Sequence, residues 1–133
     1  MGRIEWTEGL GVGIPTIDAQ HKVLVDLINR LGEAAEAGKT KAEIGPILLE
    51  LDDYTRRHFA LEEEAFERFG YPDAKSHIAE HAAFVAKVDS FQLAYAVGKA
   101  QIGEDILVFL RTWLTRHITF TDKKYRPFLA GKL

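Results

Sequence analysis

The chain has no cysteine, which excludes disulfides, thiolate-held metals and iron–sulfur clusters. Any metal here must be held by nitrogen and oxygen. No apolar run approaches the roughly 20 residues needed to span a bilayer. The start, MGRIEWTEGLGVG, lacks the charged-then-apolar pattern of a secretory signal. Met1-Gly2 opens like a myristoylation signal, but Trp6 stands where that motif takes Ser or Thr. Charge of one sign is also missing: a net charge of −3 gives no reason to expect nucleic acid or an anionic membrane as partner. What remains is the expectation of a cytoplasmic globular protein with no membrane insertion. Its 133 residues, 47% of them hydrophobic, suffice for a single domain, 1–133, with a real core.

Periodicity supplies the architecture. Residues 1–17 carry four glycines and Pro15 and hold no sustained period, yet Ile4, Trp6, Leu10, Val12, Ile14 and Ile17 are too apolar for a disordered tail. They read as an ordered arm. Asp18 is the expected N-cap of a first helix over about 18–37, striped by Ile17, His21, Leu24, Ile28 and Leu31 and ended by Gly38. A second helix over about 40–69 is capped by Thr40 and stopped by Gly70-Tyr71-Pro72. Its inward stripe is Ile44, Leu48, Leu51, Thr55, His58, Glu62, Ala65 and Phe69; Pro46 sits in the first turns, where proline costs least. A third helix over about 73–97 carries His77, His81, Phe84, Val88, Phe91 and Tyr95 in phase, before Gly98. A fourth over about 100–119 is striped by Ile102, Ile106, Phe109, Trp113 and His117, and a short segment, 122–130, closes the chain. Short connections make neighbouring helices antiparallel. The expected fold is therefore all-α: an up-down-up-down four-helix bundle with an N-terminal arm and a short C-terminal helical segment.

All five histidines fall in core phase of this bundle. His58 and Glu62 are four residues apart, about 40° around a helix axis. His77 and His81 form a second such pair, His21 precedes both, and His117 with Asp122 follows. A lone histidine on an apolar face is usually a hydrogen-bonded core residue. Burying five imidazoles and two carboxylates uncompensated, however, would cost many kcal/mol. A metal centre uses those lone pairs as ligands. Depth agrees, because the starts of the first and third helices and the ends of the second and fourth share one end of the bundle. Imidazole and carboxylate without sulfur suit iron, manganese, zinc or copper. Seven ligands are too many for one ion and reasonable for two. Two octahedral ions offer twelve positions; five histidines, two bridging carboxylates and one solvent-derived bridge fill eleven. The single open position suits a small diatomic molecule. His117 and Asp122 are five residues apart, about 140° on a regular α-helix. For both to reach one centre the fourth helix must loosen between 118 and 122, by a π-type turn or by ending.

The chain resembles the bacterial hemerythrins, a non-haem di-iron oxygen-binding family. The resemblance runs through Trp6 and Val12-Gly13-Ile14, Ile17-Asp18-Ala19-Gln20-His21-Lys22, His58-Phe59 with Glu62-Glu63, Tyr71-Pro72, His77 with Glu80-His81, and Trp113-Leu114 with His117-Ile118 and Asp122. Phe66 stands where relatives often have Met. The resemblance implies two iron ions joined by an oxo or hydroxo bridge. It puts His77, His81 and His117 on one iron, His21 and His58 on the other, and Glu62 and Asp122 across both. Dioxygen is then expected end-on at the two-histidine iron, taking one electron from each iron and returning both on release.

Such reversibility needs a pocket without proton donors, and Leu24, Phe59, Trp113, Leu114 and Ile118 are the apolar residues placed to line it. Glu63 is a candidate partner for a histidine N–H. Tyr125 is a candidate to pack against the site or hydrogen-bond near it. The leading expectation is a reversible dioxygen carrier or store, acting as a monomer, with an oxygen-consuming enzyme as recipient. The alternatives are a di-iron oxidase or peroxidase, or an oxygen sensor, using the same position. Ferritin-like oxidases use Glu-x-x-His pairs and further glutamates. This chain has no Glu-x-x-His and only two bridging carboxylates, which disfavours the enzyme.

Overall fold

The computed structural model describes residues 3–133, so the Met1-Gly2 start lies outside the described residues. Four long helices form: α1 (Pro15–Glu36), α2 (Lys41–Phe69), α3 (Ala74–Ala96) and α4 (Glu104–Arg116). A π-helical turn, His117–Thr121, and a 3₁₀ turn, Asp122–Tyr125, lead into a last short helix, α5 (Arg126–Leu129). No strand forms among the described residues. α1 packs on α2 and α4, and α2 on α3. Phe84 of α3 against Phe109 and Trp113 of α4 closes the ring of helices. The core runs down the axis through Ile17, Leu24, Ile28 and Leu31 of α1, Leu48 and Leu51 of α2, and Leu110 of α4, all nearly inaccessible. Each such side chain contributes about 1.5–3 kcal/mol by leaving water.

The expected bounds of α2 and α3 agree with the structure to within a residue or so. Thr40 forms a complete capping box: its hydroxyl accepts from the Glu43 N–H at 3.2 Å while the Glu43 carboxylate accepts the Thr40 N–H at 2.9 Å. Gly70, at φ +69°, ends α2 in the left-handed region that glycine adopts without penalty.

Two helix starts require correction. α1 begins at Pro15, not at 18, because proline's fixed φ already suits a first helical position, and Ile14 is the N-cap. Asp18 is therefore inside the first turn. Its carboxylate reaches back to accept the Val12 N–H at 2.7 Å and the Gly13 N–H at 3.2 Å, pinning the arm instead of capping the helix from in front. α4 begins at Glu104, not 100, because Gly103 is extended; Ile102 lies outside the helix, only half buried. Glu104 and Asp105 then sit in the first turn, where the helix dipole favours acids.

The arm is ordered, with one 3₁₀ turn at Glu8–Leu10 and Ile4, Leu10, Val12 and Ile14 buried. Asn29 of α1, which the apolar pattern does not single out, holds it. The buried Asn29 side chain accepts the Ile4 N–H at 2.8 Å and donates to the Ile4 carbonyl at 2.9 Å, imitating one rung of a sheet. Gly13, at φ +80°, lies against the Arg126 guanidinium so closely that a Cβ there would come within 2.7 Å of it. Arm and C-terminal segment meet at the same end of the bundle.

Candidate metal centre

His21 lies two turns into α1, His77 and His81 in the first turns of α3, His58 and Glu62 in the second half of α2, and His117 just beyond α4. Alternating helix directions bring all of them to one end. The chain between His117 and Asp122 loosens as a π turn, which lets residues five apart present to one point. Threonines favour the loosening. Thr115 and Thr119 turn their hydroxyls back to the carbonyls of Arg111 and Thr115 at 2.9 and 2.7 Å, a contact that competes with regular helix geometry. Asp122 makes no cap hydrogen bond to the segment it begins; it faces the histidines.

All seven residues are at most 4% exposed. The two carboxylates lie between two groups of imidazoles. Glu62 Oε1 is 3.1 Å from His81 Nε2 and 3.8 Å from His77 Nε2, and Asp122 Oδ1 is 3.0 Å from both His77 Nε2 and His117 Nε2. The opposite oxygens face the other pair: Glu62 Oε2 is 3.5 Å from His58 Nε2 and 4.0 Å from His21 Nε2, and Asp122 Oδ2 is 3.0 Å from His21 Nε2. Two groups of donor atoms result, one from His77, His81, His117, Glu62 and Asp122, the other from His21, His58, Glu62 and Asp122, each within 4.8 Å.

Protein contacts alone leave this cluster unsatisfied. Both nitrogens of His21 and His77, both oxygens of Asp122 and Glu62 Oε1 are buried without a hydrogen-bond partner. Native interiors rarely tolerate that, since each unpaired buried polar group costs about 1–3 kcal/mol. Burial, and for Glu62 the charge of Asp122, push the two carboxyls towards the neutral form; the surrounding histidines overcome this and hold both below the usual carboxylate range. Burial likewise pushes His117 down, but Asp122, Glu62 and Glu80 hold its charged form above the ordinary value. A pair of cations between the two groups would satisfy the inward atoms among these, Nε2 of His21 and His77 and the Glu62 and Asp122 oxygens.

An outer ring of polar contacts orients the imidazoles. His81 Nδ1 donates to Glu63 Oε2 at 2.8 Å, His117 Nδ1 to Glu80 Oε1 at 2.9 Å, and His58 Nδ1 to Gln20 Oε1 at 2.6 Å. Carboxylates only accept, so Nδ1 of His81 and His117 carries a proton, which leaves Nε2 as the nitrogen that a metal would take. Glu63 was anticipated in this role and Tyr125 near the site; Gln20 and Glu80 were not. The available signal for the latter two was adjacency, since each precedes a site histidine by one residue. Tyr125, inaccessible to solvent, donates its O–H to Glu62 Oε2 at 2.5 Å. Burial, then Glu62 and Asp122, raise its pKa, which keeps the phenol a donor.

Among the apolar candidates Leu24, Phe59, Leu114 and Ile118 are buried and Trp113 is half buried. Phe59 stacks on His81 at 3.7 Å between ring centres and Trp113 on His117 at 4.3 Å. Both aromatics therefore lie on the three-histidine group. Phe66 lies against His77 at 4.7 Å, still apolar contact.

A four-helix bundle carrying two imidazole groups around shared carboxylates is suited to a dinuclear metal centre without sulfur. Comparison with known proteins makes the class specific. A family model described as "Hemerythrin HHE cation binding domain" matches residues 12–129. Bacteriohemerythrin of Stenotrophomonas maltophilia (strain R551-3) is 34% identical over 133 residues, all of this chain and 86% of the relative. Bacteriohemerythrin of Methylococcus capsulatus (strain Bath) is 36% identical over 132 residues, 98% of this chain and all of the relative. Among solved structures, a wild-type hemerythrin superposes with a TM-score of 0.91 at 36% identity, covering 96% of this chain and 98% of that one. A hemerythrin with the substitution L114Y gives 0.93 at 35% identity, covering 98% of this chain and all of that one. The chain belongs to the hemerythrin family, non-haem di-iron proteins that bind oxygen and are not enzymes. No helix among the described residues is long and apolar enough to cross a membrane.

Proposed function

We propose that this chain binds dioxygen reversibly, for transport or storage, at a di-iron centre held by His21, His58, Glu62, His77, His81, His117 and Asp122. The observation that carries the reading is the division of each buried carboxylate: one oxygen of Glu62 and of Asp122 faces the three-histidine group, the other the two-histidine group. That arrangement would let Glu62 and Asp122 be shared by two ions, with three imidazoles available to one and two to the other. Two irons held there would supply the two electrons that reversible oxygen binding needs.

The chain's own residues do the rest. Glu63, Glu80 and Gln20 hold imidazoles with Nε2 inward. Tyr125 holds Glu62 in place through one oxygen, so the carboxylate spans both groups instead of swinging to one. Leu24, Leu114 and Ile118, with Phe59, whose ring centre is also 6.0 Å from that of His58, are the apolar residues for the oxygen position. Trp113, stacked on His117, covers the other group. None of them offers an acidic proton, and four of the five are buried, so water and general acids are kept from the bound oxygen. An oxygen-consuming enzyme is the recipient that a transport role requires.

The test is a visible spectrum of the reduced, iron-loaded protein before oxygen, after oxygen and after argon. An absorption band that rises with oxygen and vanishes under argon is expected. A band that decays irreversibly to the oxidised spectrum, or a protein that does not retain two irons per chain, overturns the reading.

A further inference from the structure

The outer contacts of the centre differ in charge between its two halves, and all the differences run one way. In the three-histidine group, two imidazoles give their Nδ1–H to carboxylates: His81 to Glu63 at 2.8 Å and His117 to Glu80 at 2.9 Å. In the two-histidine group, His58 gives its Nδ1–H to the neutral amide of Gln20; His21 Nδ1 has no partner, as His77 Nδ1 has none in the other group. The Tyr125 hydroxyl donates to Glu62 Oε2, the oxygen that faces His58 and His21. An anion at Nδ1–H makes the opposite nitrogen a stronger donor to a metal, and an amide does so less. A phenol hydrogen bond does the reverse to a carboxylate oxygen, drawing density from it. Electron density is therefore concentrated on the ligands of one position and thinned on those of the other.

We infer that Glu63 and Glu80, against Gln20 and Tyr125, make the two metal positions unequal: the three-histidine position holds its ion firmly and the two-histidine position is the weaker and more electrophilic. This rests on the reading that the seven residues hold two ions, and it assigns a role to four residues outside that set. The division suits a binder of small molecules. With ions bound, the position short of both imidazole and charge would be the one left to take an external ligand, as the family resemblance implies. Glu63 and Glu80 are positioning residues that act through His81 and His117. Their carboxylates are 34% and 46% exposed, so exchanging either for an amide buries no new orphan and keeps the shape of the contact.

The experiment uses the full chain loaded with ferrous iron under anaerobic conditions, titrated with a metal chelator while retained iron and far-UV circular dichroism are followed. Wild type is expected to lose iron in two steps of one ion per chain, separated by tenfold or more in chelator concentration. Glu63→Gln and Glu80→Gln are expected to weaken the tighter step about ten- to a hundredfold and leave the weaker step in place. Glu80→Asp should restore most of the loss, since it returns the charge. Gln20→Glu should tighten the weaker step, a gain that a merely structural residue does not give. Loss of both irons in one step from wild type overturns the inference, as do equal losses at both steps in the Glu→Gln variants or no change in any of them. Unequal steps without a reversible oxygen band sink the carrier reading alone. A reversible band with a single step sinks only this inference.

Discussion

The two ends of the bundle solve the same problem, a buried interior, by different means. Away from the centre, buried polar groups are matched within the protein. Asn29 exchanges two hydrogen bonds with Ile4, and Thr55 returns its hydroxyl to the Leu51 carbonyl at 2.7 Å. Arg111 Nε is unpaired, yet its guanidinium reaches Glu104 through Nη1 at 3.2 Å. The remainder of that end is apolar: Leu31, Ile44, Leu48 and Leu51, with Tyr95 stacked on Phe91. At the other end seven ionisable side chains meet with most of their inward atoms unmatched. The first end is stable by composition. The second is complete only with something that is not protein, and the last residues of the arm and the C-terminal turns gather around it.

The largest break in this comparison comes from a pair of truncations. Asp122→Ala removes one of the two shared carboxylates and should abolish retention of two metals. With it goes the stabilisation that bound metal confers, about 4 kcal/mol when free metal stands a thousandfold above Kd. Leu48→Ala, in the opposite half of α2, should cost about 2–5 kcal/mol by leaving a cavity, yet keep the full metal content. Metal analysis beside denaturant unfolding separates the two outcomes. Equal metal loss in both variants would show that the centre depends on overall stability and not on its own ligands.

A smaller effect concerns pH. In the metal-free protein Glu62 and Asp122 are held below their ordinary values of 4.5 and 3.8, so their stabilisation is present above those values and is lost as pH falls through the depressed ones. His117 is held above 6.5, so its contribution is complete below that pH and is lost as pH rises through the raised value. Metal-free protein should therefore be most stable between about pH 4.5 and 6.5 and weaken on the alkaline side. Loaded protein should do the opposite, because protons displace metal from imidazole as pH falls. Thermal melts from pH 5 to 9, with and without metal, should give curves of opposite slope. Parallel curves would mean that His117 is not paired in the metal-free state.

Legibility followed the same division. The aliphatic stripe of α1 and α2 and the Thr40 cap could be read directly, because period and cap each leave a local signature. The seven centre residues could be proposed because ionisable groups in core phase are conspicuous, and the spacing of His117 and Asp122 required the helix to loosen there, by a π-type turn or by ending; the structure takes the π turn. Gln20 and Glu80 left no such mark. Both lie off the buried stripe, and their role appears only when another helix brings His58 or His117 beside them. Asn29 was hidden for a related reason: a polar residue in a helix reveals nothing about an arm 25 residues away in sequence that it will hold. The helix starts at 15 and 104 turned on whether Pro15 and Gly103 begin or precede a helix, and composition alone allows either.

The smallest effect sharpens the comparison most finely, because two threonines of similar local role sit at opposite ends. Thr40 caps α2 far from the centre; Thr40→Ala should cost about 1 kcal/mol, seen as a few degrees in Tm, with metal retention unchanged. Thr119 bonds back to the Thr115 carbonyl inside the π turn that carries the chain from His117 to Asp122. Thr119→Val keeps the branched shape and removes that bond, a loss of about 0.5–1.5 kcal/mol. A regular α-helix through 117–122 would turn Asp122 about 140° from His117. Any drift of the turn towards that geometry draws the carboxylate away from the histidines, so Thr119→Val should loosen metal as well as lower Tm. The ratio of metal loss to stability loss is the quantity to compare. A ratio no greater for Thr119 than for Thr40 would mean that the π turn is held by the centre itself, with the threonine merely tolerated there.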